Sequence, residues 1–388
     1  MSVIHAGAFR ANPRYALVLL DRLTPAECAL LDGVDDAADL YGVFRPKPGS
    51  GLTPRVASAD TALLFLTLAD PGPLPVYVAA RLGDELEPTI ARLVLDAVLE
   101  VEHDGAYVGG PGAGAVVASG PALAGRGRIG ELSRDALCYG QELADLPEAL
   151  LARRLYDYGR RPLSVQLRRR LVDDAAVAAW LGLGPGGSAR AALDASWREV
   201  AGTAGRRRHW RQWRRARAGA TPSGGYKLYV SPATDALERA IGAVASSLGC
   251  VCGVSGFKLG ADVHGICRPD KLVVYFDGLD DLQAGAVILH DRLAGLPAHG
   301  VPFSAAITLD GLLSWGADPA VTPAAATNPS WRMWVTARLA EYLVAARDST
   351  DGRISPSQFA LERMRLSGID TDTWAPADGR RPTALAGT

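Results

Sequence analysis

From Tyr226 onward, strand-like and helix-like segments alternate along the chain, and this order limits the fold more than any other feature. β-type residues predict strands in YKLYV at 226–230 and in LVVYF at 272–276. Helical periodicity follows the two strands, over 233–250 and 281–296. Such an order is typical of helices packed on a sheet. We therefore predict an α+β fold.

The N-terminal part predicts a helix followed by a hairpin. Apolar residues recur at helical spacing over 84–101, and Asp104-Gly105 lies between β-type residues as a turn signal. A helix with a hairpin is typical of a small winged module, and of many other folds. The Gly- and Ala-rich stretch 109–130 lacks the spacing of a P-loop or dinucleotide motif, so we predict a loop there.

Composition divides the chain further. Of its 41 basic residues 37 are arginine, and 16 of these lie in 151–220 against five acidic residues, although the net charge is −1. The Gly- and Pro-containing ATPSGG at 220–225 is a predicted linker. We predict an N-terminal α/β domain over 1–150 that includes the candidate peptide-binding winged module. An Arg-rich helical region and linker over 151–220 and a C-terminal α/β domain over 221–388 follow.

Within the Arg-rich region, GRRRHWRQWRRARAG at 205–219 mixes arginine with tryptophan. Its candidate peptide-binding residues are Arg206, Arg207, Arg208, Trp210 and Trp213. Such a segment could hold RNA, an acidic peptide or a phosphorylated peptide. It could instead be a solvated helix face with its tryptophans packed on a neighbour. We favour a peptide partner over nucleic acid.

The chain has only four lysines, and Lys227, Lys258 and Lys271 fall close together in the sequence. In an Arg-rich chain, a lysine suggests a position where the side chain has to lose a proton, because an ammonium can do so and a guanidinium effectively cannot. We therefore treat these lysines as candidate bases or phosphate ligands. Ordinary surface lysines are the alternative interpretation.

The same residues predict a cationic pocket. Two-residue periodicity places Lys227 and Tyr229 on one strand face. Lys258 and Arg268 lie at the ends of neighbouring predicted strands, so pairing of those strands would bring three or four cations to one surface.

The motif Arg268-Pro269-Asp270-Lys271 adds a carboxylate that could orient one of the cations. A pocket of this kind could catalyse β-elimination of phosphate, bind a phosphate or phosphopeptide, or be a structural salt-bridge network. The sequence leaves all three outcomes open.

The cysteines and histidines do not predict a metal site. Cys250, Cys252 and Cys267 could ligate zinc with His264, but this is not a standard spacing. His264 remains a candidate general acid because it lies near the lysines. Sparse cysteines fit a reducing cytoplasm, and no apolar run reaches the ~18 residues of a membrane span. We predict a cytoplasmic protein that needs no metal or organic cofactor.

The C-terminal part resembles the HopA-one-like type III effector family. The resemblance rests on five short motifs in the same order, which are YKLYVSP, FKLG, RPDKLVVYF, VPFSAAITLDGLLSWGADP and SWRMWVTARLAEYLVAA. Related proteins accompany actinobacterial gene clusters for class V lanthipeptides and thioamitides. There a separate kinase phosphorylates Ser or Thr of a precursor peptide, and the effector-like protein is implicated in eliminating the phosphate to give dehydroalanine or dehydrobutyrine.

The resemblance matches the polar positions Lys227, Lys258, Arg268 and Asp270. Two positions depart from the family pattern. Phe303-Ser304-Ala305 stands where the family often has Phe-Thr-Lys, and Arg332 stands where it has different residues.

We therefore predict a phospho-Ser/Thr lyase that acts on a precursor peptide made of a leader and a phosphorylated core. Lys258 is the expected base, with Tyr229 or His264 assisting proton return. The expected phosphate ligands are Lys227, Arg268, Lys271 and Arg332. The basic segment and the winged module would hold the leader or the kinase. The alternative is a non-catalytic subunit that binds the phosphopeptide or serves as a scaffold for the kinase.

Overall fold

The computed structural model describes residues 7–31, 39–117, 125–143, 145–200, 210–216, 225–319, 329–347 and 354–377. Within these ranges the chain has a mixed α+β fold, as the sequence predicts, with its strands in four antiparallel sheets. No helix in the described part of the chain is both long and apolar enough to cross a bilayer.

Two small sheets form the N-terminal part. Its elements are β1 (Ala8–Ala11), β2 (Tyr15–Leu19), α1 (Pro25–Leu31), β3 (Leu40–Pro46), β4 (Arg55–Ser58), α2 (Ala59–Thr67), β5 (Gly72–Pro73), α3 (Val76–Leu82), α4 (Leu86–Leu95), β6 (Leu99–His103) and β7 (Ala106–Val108). One sheet has the order β5-β1-β6-β7 and the other β2-β3-β4. The predicted helix and hairpin are confirmed as α4, β6 and β7. Strands β6 and β7 pair antiparallel, and Asp104 and Gly105 both have positive φ at the turn between them.

Helices dominate the middle of the chain. They are α5 (Gly114–Val117), α6 (Gly127–Glu142), α7 (Glu148–Asp157), α8 (Val165–Arg170), α9 (Asp174–Trp180) and α10 (Arg190–Ser196). The loop prediction for 109–130 is therefore wrong where α5 and the start of α6 lie; residues 118–124 lie outside the described ranges. Tertiary packing favours the helix over a loop at α5, since Gly114 lies directly against the Ile354 side chain.

The remaining elements build a seven-stranded sheet and the layers around it. They are β8 (Trp197–Glu199), β9 (Trp210–Arg215), β10 (Tyr226–Val230), α11 (Leu237–Ser247), β11 (Val254–Gly260), α12 (Val263–Ile266), β12 (Leu272–Phe276), α13 (Leu279–Leu293), β13 (Ala305–Ala306), β14 (Leu313–Ala317), α14 (Trp331–Ala346), α15 (Pro356–Leu366), β15 (Ile369–Asp370) and β16 (Ala375–Pro376). The sheet order is β13-β14-β10-β12-β11-β9-β8.

The two faces of this sheet differ because side chains alternate along each strand. One face carries Leu228, Phe257 and Val274, which pack in a core with α9, α10, α11 and α13. The other face carries Lys227, Lys258 and Tyr275, and we call it the site face.

Two strands of the sheet come from the Arg-rich region. The prediction of a helix face for this segment is wrong for its described part, because 210–215 forms β9, in register with β11. Trp213 stacks on Phe257 with ring centroids 4.9 Å apart, and this apolar contact anchors the strand on the core face. The sheet thus takes strands from both sides of the predicted boundary near 220, while the division into domains stays a prediction. Arg206, Arg207 and Arg208 lie outside the described residues.

Helices α7 and α14 pack against each other and cover part of the site face. Gly316 of β14 permits this, since a Cβ there would lie only 2.4 Å from Cδ1 of the buried Trp331. The close approach brings Tyr156 of α7 and Arg332 of α14 beside the end of β12.

Candidate functional site

Lys258 of β11 is the candidate base, and it lies among aromatic rings. Its Nζ lies 4.3 Å from the centroid of the Trp210 ring and 5.8 Å from that of Tyr275. Within the described residues, no carboxylate oxygen lies within the 4.0 Å of an ion pair. Burial, and next the charge of Lys227, lower the pKa of Lys258 to about 8. A lysine in these surroundings can lose its proton near neutral pH.

Lys227 of β10 shares the site face and is the second cation. Its Nζ lies 5.7 Å from the Tyr275 ring centroid and makes a short ion pair with Asp318, which follows β14. The strand register explains this placement, since Lys227 lies directly opposite Tyr275. The two lysines therefore contact the same aromatic ring, as the pairing of the predicted strands requires.

Arg268 is the third cation, and a network of buried polar groups fixes its position. Its Nε and Nη2 donate to Asp270 at 2.8 and 2.9 Å, and Nη2 also donates to the Tyr156 hydroxyl at 2.8 Å. Its guanidinium lies 4.9 Å from the Trp210 ring centroid, so Trp210 contacts both Arg268 and Lys258.

Asp270 lies at the centre of this network. Burial alone would raise its pKa, but the guanidiniums of Arg332 and Arg268 more than offset burial and hold the pKa well below its usual value. The Tyr156 hydroxyl also donates to Asp270, at 3.2 Å. Asp270 is therefore a permanent anion that orients Arg268 and neutralises part of the local charge.

Arg332, a predicted phosphate ligand, is buried behind Asp270. Its Nη1 lies 3.1 Å from Asp270 Oδ2, and its other nitrogens donate to the carbonyls of Pro302 and Tyr156. Only 1% of the residue is exposed. Arg332 thus has protein partners and holds Asp270 and the end of α7 in place.

Lys271, another predicted phosphate ligand, also lies outside the pocket around Lys258. Its fully buried Nζ donates to the Pro232 carbonyl at 2.8 Å and contacts His299 Nδ1 at 2.7 Å. Burial lowers the pKa of Lys271 to about 7. The structure does not bring Lys271 to Lys258, because its Nζ is held by Pro232 and His299 instead.

The two candidates for proton return occupy unlike positions. Tyr229 is 3% exposed, and burial raises the pKa of its hydroxyl well above the usual value. His264 lies exposed on α12 and lines a cavity of about 410 Å³ together with Trp210 and Arg268. Of the predicted peptide-binding tryptophans, Trp210 lines this cavity, whereas Trp213 is buried in the opposite core.

The sequence interpretation missed Tyr156. This residue lies 112 positions before Arg268 at the end of α7, and no local pattern links it to the cationic motif. The contact between Tyr156 and Arg268 depends on how α7 packs on α14, and no local sequence pattern indicates that packing.

Ala305 stands where the effector family that the sequence resembles often has lysine. Its register partner is Trp315, so its side chain lies on the face opposite Gly316 and Lys227. A lysine at this position of β13 would not point into the pocket around Lys258.

No residues of the described chain form a group of three His, Cys, Asp or Glu side chains suited to a metal ion. The charged groups around Lys258 are cationic apart from Asp270 and Asp318, and Asp262 lines the adjoining cavity. The excess of positive charge at Lys258 suits an anion.

The chain matches no family model and no curated protein. Solved structures similar to it include two effector proteins. The first, from Pseudomonas syringae pv. syringae strain 61, has 14% identity, covers 63% of this chain and 98% of its own, and has a TM-score of 0.39. The second, from P. syringae pv. tomato strain DC3000, has 14% identity, covers 63% and 96%, and has a TM-score of 0.37. A phosphothreonine lyase has 12% identity, covers 51% and 87%, and has a TM-score of 0.27. At these values the likeness assigns neither a family nor an activity.

Proposed function

We propose that this protein is a lyase that eliminates phosphate from phosphoserine or phosphothreonine in a peptide. The observation that carries the proposal is the position of Lys258, which has a lowered pKa, no carboxylate partner among the described residues, and two cations nearby. A base and an anion-binding pocket are the two requirements of this reaction.

The elimination is balanced without a co-reactant. The neutral Nζ of Lys258 takes the Cα proton, and the electrons of that C–H bond form the Cα=Cβ double bond. The Cβ–O bond breaks, and phosphate leaves with the bonding pair. The product is dehydroalanine from serine or dehydrobutyrine from threonine, and the proton on Lys258 then returns to solvent.

Arg268 and Lys227 are the proposed phosphate ligands. Arg268 uses Nε and Nη2 for Asp270 and Tyr156, and Nη1 has no hydrogen-bond partner among the described residues. A guanidinium held in this way is oriented before the phosphate arrives, so less freedom is lost on binding. Lys227 contributes a second positive charge beside Tyr275.

The exposed His264 and the buried Tyr229 retain the proposed role of assisting proton transfer. His264 is exposed and lines the cavity at Arg268, so it contacts both the cavity and the solvent. The reaction needs no metal or organic cofactor when the leaving group is already phosphate. A precursor peptide and a separate kinase remain proposed partners.

The second candidate is a non-catalytic phosphopeptide-binding subunit. The buried pair of Asp270 and Arg332 favours it, because that pair would orient Arg268 toward a phosphate whether or not Lys258 takes a proton. The two candidates differ in whether the mass of the bound peptide changes.

Mass spectrometry of a phosphoserine peptide incubated with the protein tests the proposal. The wild type is expected to remove one phosphoric acid per site, and Lys258→Met to remove none while still binding the peptide. Lys47→Met is the matched control, since Lys47 is an exposed lysine of the N-terminal part, and it should behave as wild type. Binding without any mass change would replace the lyase by the binding subunit, and neither binding nor mass change would overturn both candidates.

A further inference from the structure

Two cavities adjoin each other beside α12. The cavity of about 410 Å³ at Trp210 and Arg268 shares Arg160 and His264 with a second cavity of about 520 Å³. The second cavity extends to Arg161 and Arg168. The first cavity begins at Arg268, the proposed phosphate ligand, and at Trp210, whose ring lies 4.3 Å from Lys258 Nζ. We call the two adjoining cavities the α12 groove.

Arginines line one wall of the α12 groove. Arg160, Arg161 and Arg168 are all exposed, and only Arg160 makes an ion pair among the described residues, with Asp157 at 3.0 Å. Burial raises the pKa of the Cys267 thiol in this wall, and the charges of Arg160 and Arg168 act in the opposite direction. Arg161 and Arg168 thus present uncompensated positive charge to the groove.

Beyond His264 the charge changes sign. A third cavity, of about 470 Å³, shares His264 with the groove and is lined by Asp173, Asp174 and Asp262, of which Asp262 also lines the cavity at Arg268. Asp173 and Asp262 accept hydrogen bonds from backbone N–H groups at the starts of α9 and α12. Negative groups of a ligand are therefore attracted to the arginine wall and repelled from the far end.

The loop that carries Arg160 and Arg161 is fixed to the sheet. His299 Nε2 donates to the Gly159 carbonyl at 2.5 Å, and the Arg161 N–H donates to the Cys267 carbonyl. Lys271 holds the other ring nitrogen of His299. Little backbone freedom remains to be lost when a ligand binds the two guanidiniums.

We propose that the arginine wall binds acidic side chains of the same peptide whose phosphorylated residue lies at Lys258. This inference rests on the proposed function and adds a substrate preference to it. An extended peptide advances ~3.3 Å per residue, so residues close to the phosphorylated one reach along the groove. Guanidiniums bind carboxylates through paired hydrogen bonds, which suits Asp and Glu at those positions.

Two phosphoserine peptides test the preference, one with Asp and Glu on both sides of the phosphoserine and one with Asn and Gln there. Wild-type protein should bind the acidic peptide about fivefold more tightly, the sum expected for two exposed ion pairs. The double variant Arg161→Gln/Arg168→Gln should bind both peptides alike and keep the wild-type affinity for the amide peptide.

The control variant Arg239→Gln/Arg292→Gln removes two exposed charges from α11 and α13, on the opposite side of the sheet. It should keep the fivefold preference. Equal wild-type affinities for the two peptides, or loss of the preference in the control variant, would contradict binding of acidic side chains by the arginine wall. This holds even if phosphate is eliminated. Retained preference without elimination would instead overturn the lyase alone.

Discussion

Asp270 Oδ2 lies 3.1 Å from Arg332 Nη1, and both residues are buried. This pair supports the cationic site from behind, because the same carboxylate holds Arg268 in a two-point contact. The site is thus built on an internal ion pair, and its cations depend on the charge of one aspartate.

Asp270→Asn should destabilise the protein by ~3–5 kcal/mol, because it leaves the buried guanidinium of Arg332 without its counter-charge. Urea unfolding followed by circular dichroism measures the loss. Asp194→Asn is the matched control, since Asp194 pairs with Arg190 at the surface and should contribute ~0–1 kcal/mol. Equal losses in the two variants would contradict the central role of Asp270.

The rate of elimination should rise with pH up to about 8, the pKa to which burial and Lys227 lower Lys258. The reaction needs neutral Lys258, so kcat/KM should fall about tenfold per pH unit below that value. The second ionisation of the phosphate has a pKa of ~6, so the profile is compared above pH 7. A rate that does not change between pH 7 and 8 would exclude Lys258 as the base.

Lys227→Met should move the same limb of the pH–rate profile to higher pH. The positive charge of Lys227 lowers the pKa of Lys258, and the negative charge of Asp318 raises it. Loss of Lys227 removes the first effect and leaves the charge of Asp318 unopposed by Lys227, so both changes raise the pKa of Lys258. The profile of Lys47→Met should coincide with that of the wild type. A shift to lower pH in Lys227→Met would contradict the charge arrangement of the site.

The free energy of unfolding should depend on pH through Lys271. Burial lowers its folded pKa to about 7 from 10.5. Between these values the unfolded chain binds a proton that the folded chain does not, so stability rises with pH. Below about 7 both states hold the proton, and the folded state bears the full cost of burying the charge.

Relative to Lys271→Met, the wild type should therefore gain stability as pH rises from 7 to 9.5. Urea unfolding of both proteins at the two pH values gives this double difference. A difference that stays constant would show that Lys271 does not change its protonation on folding.

Gly316→Ala should destabilise the protein by ~1–3 kcal/mol, because the new methyl group overlaps Trp331 and displaces α14. Gly242→Ala on α11 is the contrasting change, since no atom lies within 4 Å of its added Cβ. Alanine favours the helix there, so this variant should be stabilised by ~0.4–1 kcal/mol. Thermal unfolding distinguishes the two, and a stable Gly316→Ala would contradict the close packing of α14 on the sheet.

Strand alternation made part of the site predictable. YKLYV and LVVYF carry enough β-type residues to identify β10 and β12, and their period places Lys227 on one face. The environment of Lys258 was not predictable in this way. Trp210 reaches it from β9, where the arginines obscure the alternation, and Tyr156 reaches Arg268 through contacts between distant helices. Such contacts depend on tertiary packing, which residue spacing does not encode.

The position of β9 has a practical consequence for dissection of the chain. A fragment that begins at Tyr226 would contain every lysine of the pocket, yet it would lack the strand that carries Trp210 beside Lys258 and Trp213 over Phe257. Water would reach Lys258 more freely, and its pKa would rise toward that of an ordinary surface lysine, although Lys227 would still lower it. The reactivity of Lys258 on β11 thus depends on the neighbouring strand β9.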